Sequence, residues 1–176
     1  MISTKEEIKN ILIKLKNYPI KNALDLGCGK GRISAKLAEK GIDVIGVDLK
    51  DYSIKQKNFT FLKEDVRNFK FDRKFDLIVC SLLLHFFRKE KAIEIIKKMQ
   101  EATPKGGINF LICLSNKDEL FREKPQNFYP SSEFLKELYF GWKIISEIQD
   151  FTETEKHDNL GEHNHNLIIL SLQKLS

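Results

Sequence analysis

Apolar residues in this chain fall into short dense runs, separated by stretches in which they recur every three or four positions. From Ser3 to Asn17, Ile8, Ile11, Leu12 and Leu15 are spaced for one helix face, with Ser3 or Thr4 as cap and Glu6 and Glu7 in the first turn. Ile20 to Leu26 reads as a strand, Arg32 to Lys40 as a helix closed by Gly41, and Ile42 to Asp48 as a strand apolar enough to be buried on both faces. A short helical stretch near Asp51 to Lys57 precedes strands at Phe59 to Lys63 and Phe75 to Ser81. A helix from Lys89 to Ala102, a Thr-Pro-Lys-Gly-Gly turn and a strand from Ile108 to Leu114 follow. Ser115 to Pro130 shows no periodicity and reads as a functional loop. Ser131 then caps a helix through Tyr139, and strands at Trp142 to Phe151 and Asn166 to Gln173 flank a polar segment.

Strands and helices alternating at this spacing predict a doubly wound α/β fold, a mostly parallel seven-stranded Rossmann-like sheet with helices on both faces. The last two strands are joined by a link too short for a crossover helix, which makes one of them antiparallel. Such a sheet binds its ligand outside the carboxyl ends of its strands. That places Asp25 to Gly31, Asp48, Asp65 and Ser81 at the candidate site.

Composition adds boundaries. At 176 residues, 41% hydrophobic and 31% charged, the chain has the profile of one globular domain able to bury a core without disulfides or metal. Cys28, Cys80 and Cys113 show no paired spacing, which predicts a reducing, cytoplasmic setting. The N-terminus has no apolar core of a signal peptide, and no run approaches the roughly 20 residues of a membrane span. The net charge of +5 comes mainly from scattered lysines, without a basic cluster interleaved with aromatics, and argues against a nucleic-acid partner.

The densest chemistry lies in Ala23 to Gly31, where an apolar strand carrying Asp25 breaks into Gly27, Gly29 and Gly31 before a helix. Glycines there let backbone approach a bound nucleoside. The spacing is G-x-G-x-G, and Arg32 stands where the dinucleotide fingerprint has its last glycine.

Leu-Asp-Leu-Gly-Cys-Gly-Lys-Gly-Arg, Gly-Val-Asp ending the second strand, Glu-Asp-Val after the third, Phe-Asp-Leu-Ile-Val-Cys-Ser and Pro-Lys-Gly-Gly together resemble the class I S-adenosylmethionine-dependent methyltransferases. The second half resembles the narrower tellurite-resistance and thiopurine methyltransferase group. The matching features are Phe86-Phe87, Met99-Gln100, Phe134-Leu135, Tyr139 to Trp142, His157-Asp158 and Gly161. The resemblance implies one methyltransferase domain over 1–176: an N-terminal helix (1–18), a half that binds S-adenosyl-L-methionine (19–114) and a substrate-side half (115–176). It implies that Gly27, Cys28, Gly29 and Gly31 lie against the methionine part of the cofactor, with Lys30 or Arg32 near its carboxylate and Asp25 orienting the loop. It further implies that Asp48, with Leu49 beside it, accepts the ribose hydroxyls, that Asp65 and Val66 meet the adenine, and that Ser81 borders the site. Capping of the following turn is the alternative for Asp48, and a helix N-cap for Asp65.

On the acceptor side, His85 is a candidate base or substrate contact and equally a structural histidine. His157, His163 and His165 lie in a polar run that reads as a substrate-facing lid, a solvated loop or a metal site, and His157 is a second candidate base. Arg88, Arg122 and Tyr129 are candidate substrate contacts. No metal is expected to be needed. The resemblance implies a small soft sulfur, selenium or tellurium nucleophile as acceptor, which agrees with the lack of an obvious strong base. The alternatives are a methyltransferase for RNA or protein and a non-catalytic cofactor-binding domain.

Overall fold

The computed structural model describes residues 15–52, 55–152, 155–157 and 161–176, with the side chains of 155–157 and 161–163 left out. The N-terminal helix expected over 3–17 lies outside these residues except for its end, where Leu15–Asn17 forms a 3-10 turn with Leu15 buried. The first strand, β1 (Asn22–Leu26), leads through the glycine turn into α1 (Arg32–Ala38), β2 (Asp43–Asp48) and β3 (Phe59–Lys63). Between β2 and β3 the described residues 51–52 and 55–57 carry no helix, and the rest of that expected helix lies outside the described residues. Then come β4 (Leu77–Ser81), a 3-10 turn at Leu84–Phe86, α2 (Lys89–Ala102), β5 (Ile108–Leu114), a one-turn α3 (Leu120–Glu123), α4 (Ser132–Leu138) and β6 (Lys143–Phe151). A hairpin of β7 (Glu155–His157) and β8 (Gly161–His163) precedes β9 (Asn166–Gln173).

Seven strands form one sheet in the order β3-β2-β1-β4-β5-β9-β6. Five are parallel neighbours, and β9 runs antiparallel between β5 and β6. This is the predicted mixed sheet, and its antiparallel strand is the one inserted last. The chain winds outward from β1 to β3 and returns on the other side of β1 at β4. The topological switch point therefore lies between β1 and β4.

Two apolar cores follow from strand alternation. Leu24, Leu26, Ile78, Cys80, Leu111, Cys113, Ile168 and Leu170 face α2 and α4. Ala23, Leu77, Val79, Phe110, Ile112 and Ile169 face the opposite side with Ile33, Leu37 and Ala38 of α1. β1, β4, β5 and β9 are buried on both faces, so they hold the carboxyl-end loops on a rigid base.

Candidate functional site

Alternation along β1 sends Asp25 to the α1 face, opposite to Leu24 and Leu26. There Ser34 Oγ donates to Asp25 Oδ2 at 2.5 Å. Asp25 is 2% exposed, and burial pushes its carboxyl up to about 7. After Leu26 the chain turns through Gly27, Gly29 and Gly31 at φ 68°, 52° and 68°. The end of β2 holds this turn in place: the Val47 carbonyl accepts the N–H groups of Gly27 and Cys28, at 2.8 and 3.1 Å. Asp48 Oδ2 accepts the Gly29 N–H at 2.8 Å, and Oδ1 accepts the Lys50 N–H at 3.0 Å.

Two glycines carry the geometry. A Cβ on Gly27 would stand 2.7 Å from Leu83 Cδ1, so the turn presses directly on the segment after β4, across the switch point. A Cβ on Gly29 would meet nothing within 4 Å, so that face of the turn is open. The Cys28 thiol is half-buried and is pushed up to about 12 by burial, with Asp25 and Asp48 adding to the effect, so it stays protonated.

The remaining residues expected on this side take varied positions. Arg32 is exposed at the start of α1, and Leu49 is exposed beyond β2. Val66 is buried in the core. The Asp65 carboxylate accepts from the backbone N–H of Arg67 at 2.9 Å and from its guanidinium Nε at 2.9 and 3.0 Å, and it also pairs with Nη2. These bonds from Arg67 hold Asp65 below the usual carboxylate range. Its carbonyl accepts the N–H groups of Asn68 and Phe69, so Asp65 organises the local turn. Ser81 ends β4 half-buried, and Leu82 follows at φ 49° with its N–H on the Ile112 carbonyl at 2.8 Å.

On the other side of the switch point, His85 stacks on Phe86 at 4.2 Å and faces Tyr129 at 6.2 Å; Phe121 meets Tyr129 edge-on at 5.9 Å. His85 Nδ1 is buried without a hydrogen-bond partner. Burial pulls this imidazole down to about 4, against the opposing pull of Asp118, so His85 is neutral at physiological pH. The 115–130 loop is fastened at both ends. Asn116 N–H bonds the Pro130 carbonyl, Asn127 Nδ2 donates to the His85 carbonyl at 2.9 Å, and Phe128 N–H bonds the Phe87 carbonyl. Phe128 joins the α2 core at 2% exposure, so this part of the loop is structural wall. Tyr129 is buried, whereas Arg88 and Arg122 are exposed, Arg88 directly before α2 and Arg122 in α3.

The polar run divides. The backbones of His157 and His163 stand in the β7–β8 hairpin, and their side chains lie outside the described residues. His165 lies past β8, its N–H on Thr152 Oγ1 at 2.9 Å and its Nδ1 3.1 Å from Asp118 Oδ2. Among the described residues no group of three or more His, Cys, Asp or Glu side chains is arranged to hold a metal ion. No helix among them is long and apolar enough to cross a membrane. Asp118, Asn127 and Leu83 escaped the sequence reading. Only Asp118 had a local signal, an acid two residues before a helical turn.

The glycine turn and the segments around it belong to a chain whose residues 1–171 match the family described as Tellurite resistance protein TehB. The chain belongs to the TehB family. It is 33% identical over 147 residues to a Haemophilus influenzae (strain 10810) protein named "Probable S-adenosyl-L-methionine-dependent methyltransferase TehB". That match covers 78% of this chain and 51% of the relative. The chain spans about half the length of the curated relatives it matches. Among solved structures, TehB from Haemophilus influenzae superposes with a TM-score of 0.78 at 26% identity, over 94% of this chain and 62% of that one. The N-methyltransferase NodS from Bradyrhizobium japonicum WM9, in complex with S-adenosyl-l-homocysteine, superposes at 0.74 with 17% identity, over 98% and 87%, a likeness of fold. The TehB fold of this chain thus extends through the C-terminal strands β6 and β9 as well as the glycine turn.

Proposed function

We propose that this TehB-family chain binds S-adenosyl-L-methionine at the glycine turn and transfers its methyl group to a small soft nucleophile of the sulfur, selenium or tellurium class. The observation that carries the reading is the clamp of Asp48 on Gly29 at the β1–β4 switch point, in a chain matched by the family over 1–171. The residues present fit the cofactor. Three left-handed glycines with one open face leave room for it, and a half-buried carboxylate at the end of β2 keeps lone pairs for a ribose diol beyond its two backbone bonds. When bound, the cofactor supplies a methyl group on a cationic sulfonium.

The chain's own part is to hold and exclude. The Gly27 to Gly31 turn takes the methionine portion, Asp48 with neighbouring Leu49 the ribose, and Asp65 with Val66 the adenine. Asp25 supports the turn from below, and Ser81 and Leu83 close the crevice towards the acceptor. His85, Phe86 and Tyr129 form an aromatic wall on which an acceptor rests, and a neutral His85 lets an uncharged or polarisable group approach without imidazolium competition. Arg88 and Arg122, both exposed, draw anionic acceptors from solvent. Alignment of acceptor and methyl in a water-poor crevice accounts for most of the rate gain, several kcal/mol of barrier. Titration calorimetry with S-adenosyl-L-homocysteine tests the binding half of this proposal. Saturable one-to-one binding that Asp48→Ala weakens is expected, and absence of binding to the wild-type chain would refute it.

A further inference from the structure

Both oxygens of the Asp65 carboxylate are met by one residue, Arg67. The Arg67 backbone N–H donates to Oδ1 at 2.9 Å, its Nε to Oδ1 at 3.0 Å and to Oδ2 at 2.9 Å, and its Nη2 to Oδ2. An ionised carboxylate has about four acceptor positions, so this fork leaves little for a further donor. The pair lies at the surface, with the Arg67 side chain 57% exposed and that of Asp65 14%. Exposed pairs of this kind are weakly held, so the guanidinium can be given up to water at small cost.

The carboxylate keeps its place without the guanidinium. The bond from the Arg67 backbone N–H to Oδ1 closes an Asx turn. The Asp65 carbonyl accepts the N–H groups of Asn68 at 2.8 Å and Phe69 at 3.1 Å, and Val66 and Phe69 are buried in the core that faces α2. None of these bonds uses the Arg67 side chain. The segment is also tied to the glycine turn. Lys63 at the end of β3 is in register with Asp48, and the Glu64 N–H donates to the Asp48 carbonyl at 3.0 Å. Asp48 in turn accepts the Gly29 N–H. Asp65 is therefore one residue along from a direct bond to the clamp on the turn.

We propose that Arg67 is a specificity-determining residue for the cofactor base: its guanidinium competes with the amino group of adenine for the Asp65 carboxylate, and binding exchanges one for the other. The inference rests on the reading above in which Asp65 meets the adenine. The adenine amino group is a donor, so Arg67 must release an oxygen as the base arrives. A base with a carbonyl oxygen in place of that amino group meets lone-pair repulsion from a bare carboxylate but accepts a hydrogen bond from a guanidinium. Arg67 thus weakens the adenine contact and softens the rejection of an oxo base. A chain without it discriminates more sharply.

The test is titration calorimetry of the ligand-free chain with S-adenosyl-L-homocysteine and with S-inosyl-L-homocysteine, which carries the same charges and differs only around the 6-position of the base. The ratio of dissociation constants, inosyl over adenosyl, should be about 3- to 10-fold larger in Arg67→Leu than in wild type. In the wild type alone the ratio should rise with salt, because ions screen the exposed pair that competes with adenine. In Asp65→Asn it should fall towards one, since an amide presents either a donor or an acceptor, and adding Arg67→Leu should then change nothing further. A ratio that is unchanged or smaller in Arg67→Leu, or that does not rise with salt in the wild type, while Asp65→Asn lowers it, overturns the inference alone. A ratio that Asp65→Asn leaves unmoved overturns the adenine reading of Asp65, and the inference with it. Binding of neither ligand to the wild type overturns the cofactor reading itself.

Discussion

Asp48 Oδ2 accepts the backbone N–H of Gly29 at 2.8 Å, so the acid that ends β2 is a structural clamp on the turn that ends β1. A hydrogen bond from a backbone amide to a charged acceptor contributes about 1.5 to 3 kcal/mol. Asp48 therefore belongs both to the architecture of the turn and, in the proposed function, to recognition of the cofactor.

Replacing Asp48 separates those roles. Asp48→Ala should lower the melting temperature by several degrees while raising the dissociation constant for S-adenosyl-L-homocysteine about 10- to 100-fold, or about 1.4 to 2.7 kcal/mol. Calorimetry and thermal unfolding on the same preparation check both. A drop in stability with unchanged affinity would leave Asp48 a clamp only.

Gly27 faces two penalties for any side chain, a φ of 68° and the Leu83 methyl 2.7 Å from its Cβ position. Gly27→Ala should cost about 2 to 4 kcal/mol of stability, from left-handed strain and overpacking together. Leu83→Ala in the same chain should recover the overpacking part. Urea unfolding of the two single variants and the double variant should give a coupling of about 1 kcal/mol or more, whereas simple additivity would show that the two residues do not meet.

Asp25 is held near 7 in the fold against an unfolded value of 3.8. The folded chain thus binds the extra proton between those values, and this group's contribution to stability is lost as pH rises from 3.8 through 7. Asp25→Asn removes the buried charge. Its ligand-free form should gain stability relative to wild type as pH rises, on the order of 3 kcal/mol at pH 8 and little at pH 4. Denaturant midpoints across that range measure it, and a pH-independent difference would contradict a raised Asp25.

His85 works with the opposite slope. Its folded value of about 4 lies below the unfolded 6.5, so the unfolded chain takes up the proton first and stability falls as pH drops from 6.5 to 4. His85→Leu removes this term and the unpartnered Nδ1. It should unfold at higher urea than wild type at pH 5, with a smaller difference at pH 7.5.

Much of this was legible in the residues. α2, β5 and β9 begin and end where the apolar pattern changes, because both-face burial or a long amphipathic stripe leaves a dense signal. The glycine turn was legible for the same local reason. What escaped depends on pairing at a distance. Asp118 gains its meaning from His165, 47 residues later, and read locally it is an ordinary turn acid. Phe128 sits in a stretch of loop composition but is drawn into the α2 core by the Phe87 backbone. The expected helix near Asp51 to Lys57 rested on weak spacing, and the described residues 51–52 and 55–57 carry no helix. Asp65 shows both limits: its local turn-forming bonds fit the pattern, but its pairing with Arg67 depends on side-chain placement.

The most direct test of the account is methyl transfer itself. The purified chain would be incubated with S-adenosyl-L-methionine labelled in the methyl group and with a panel of thiols, selenite, tellurite and thiopurines, beside RNA and bulk protein. Label should appear in small methylated products, and Asp48→Ala should reduce it by at least tenfold. Label confined to RNA or protein, with none in any small acceptor, would contradict the account.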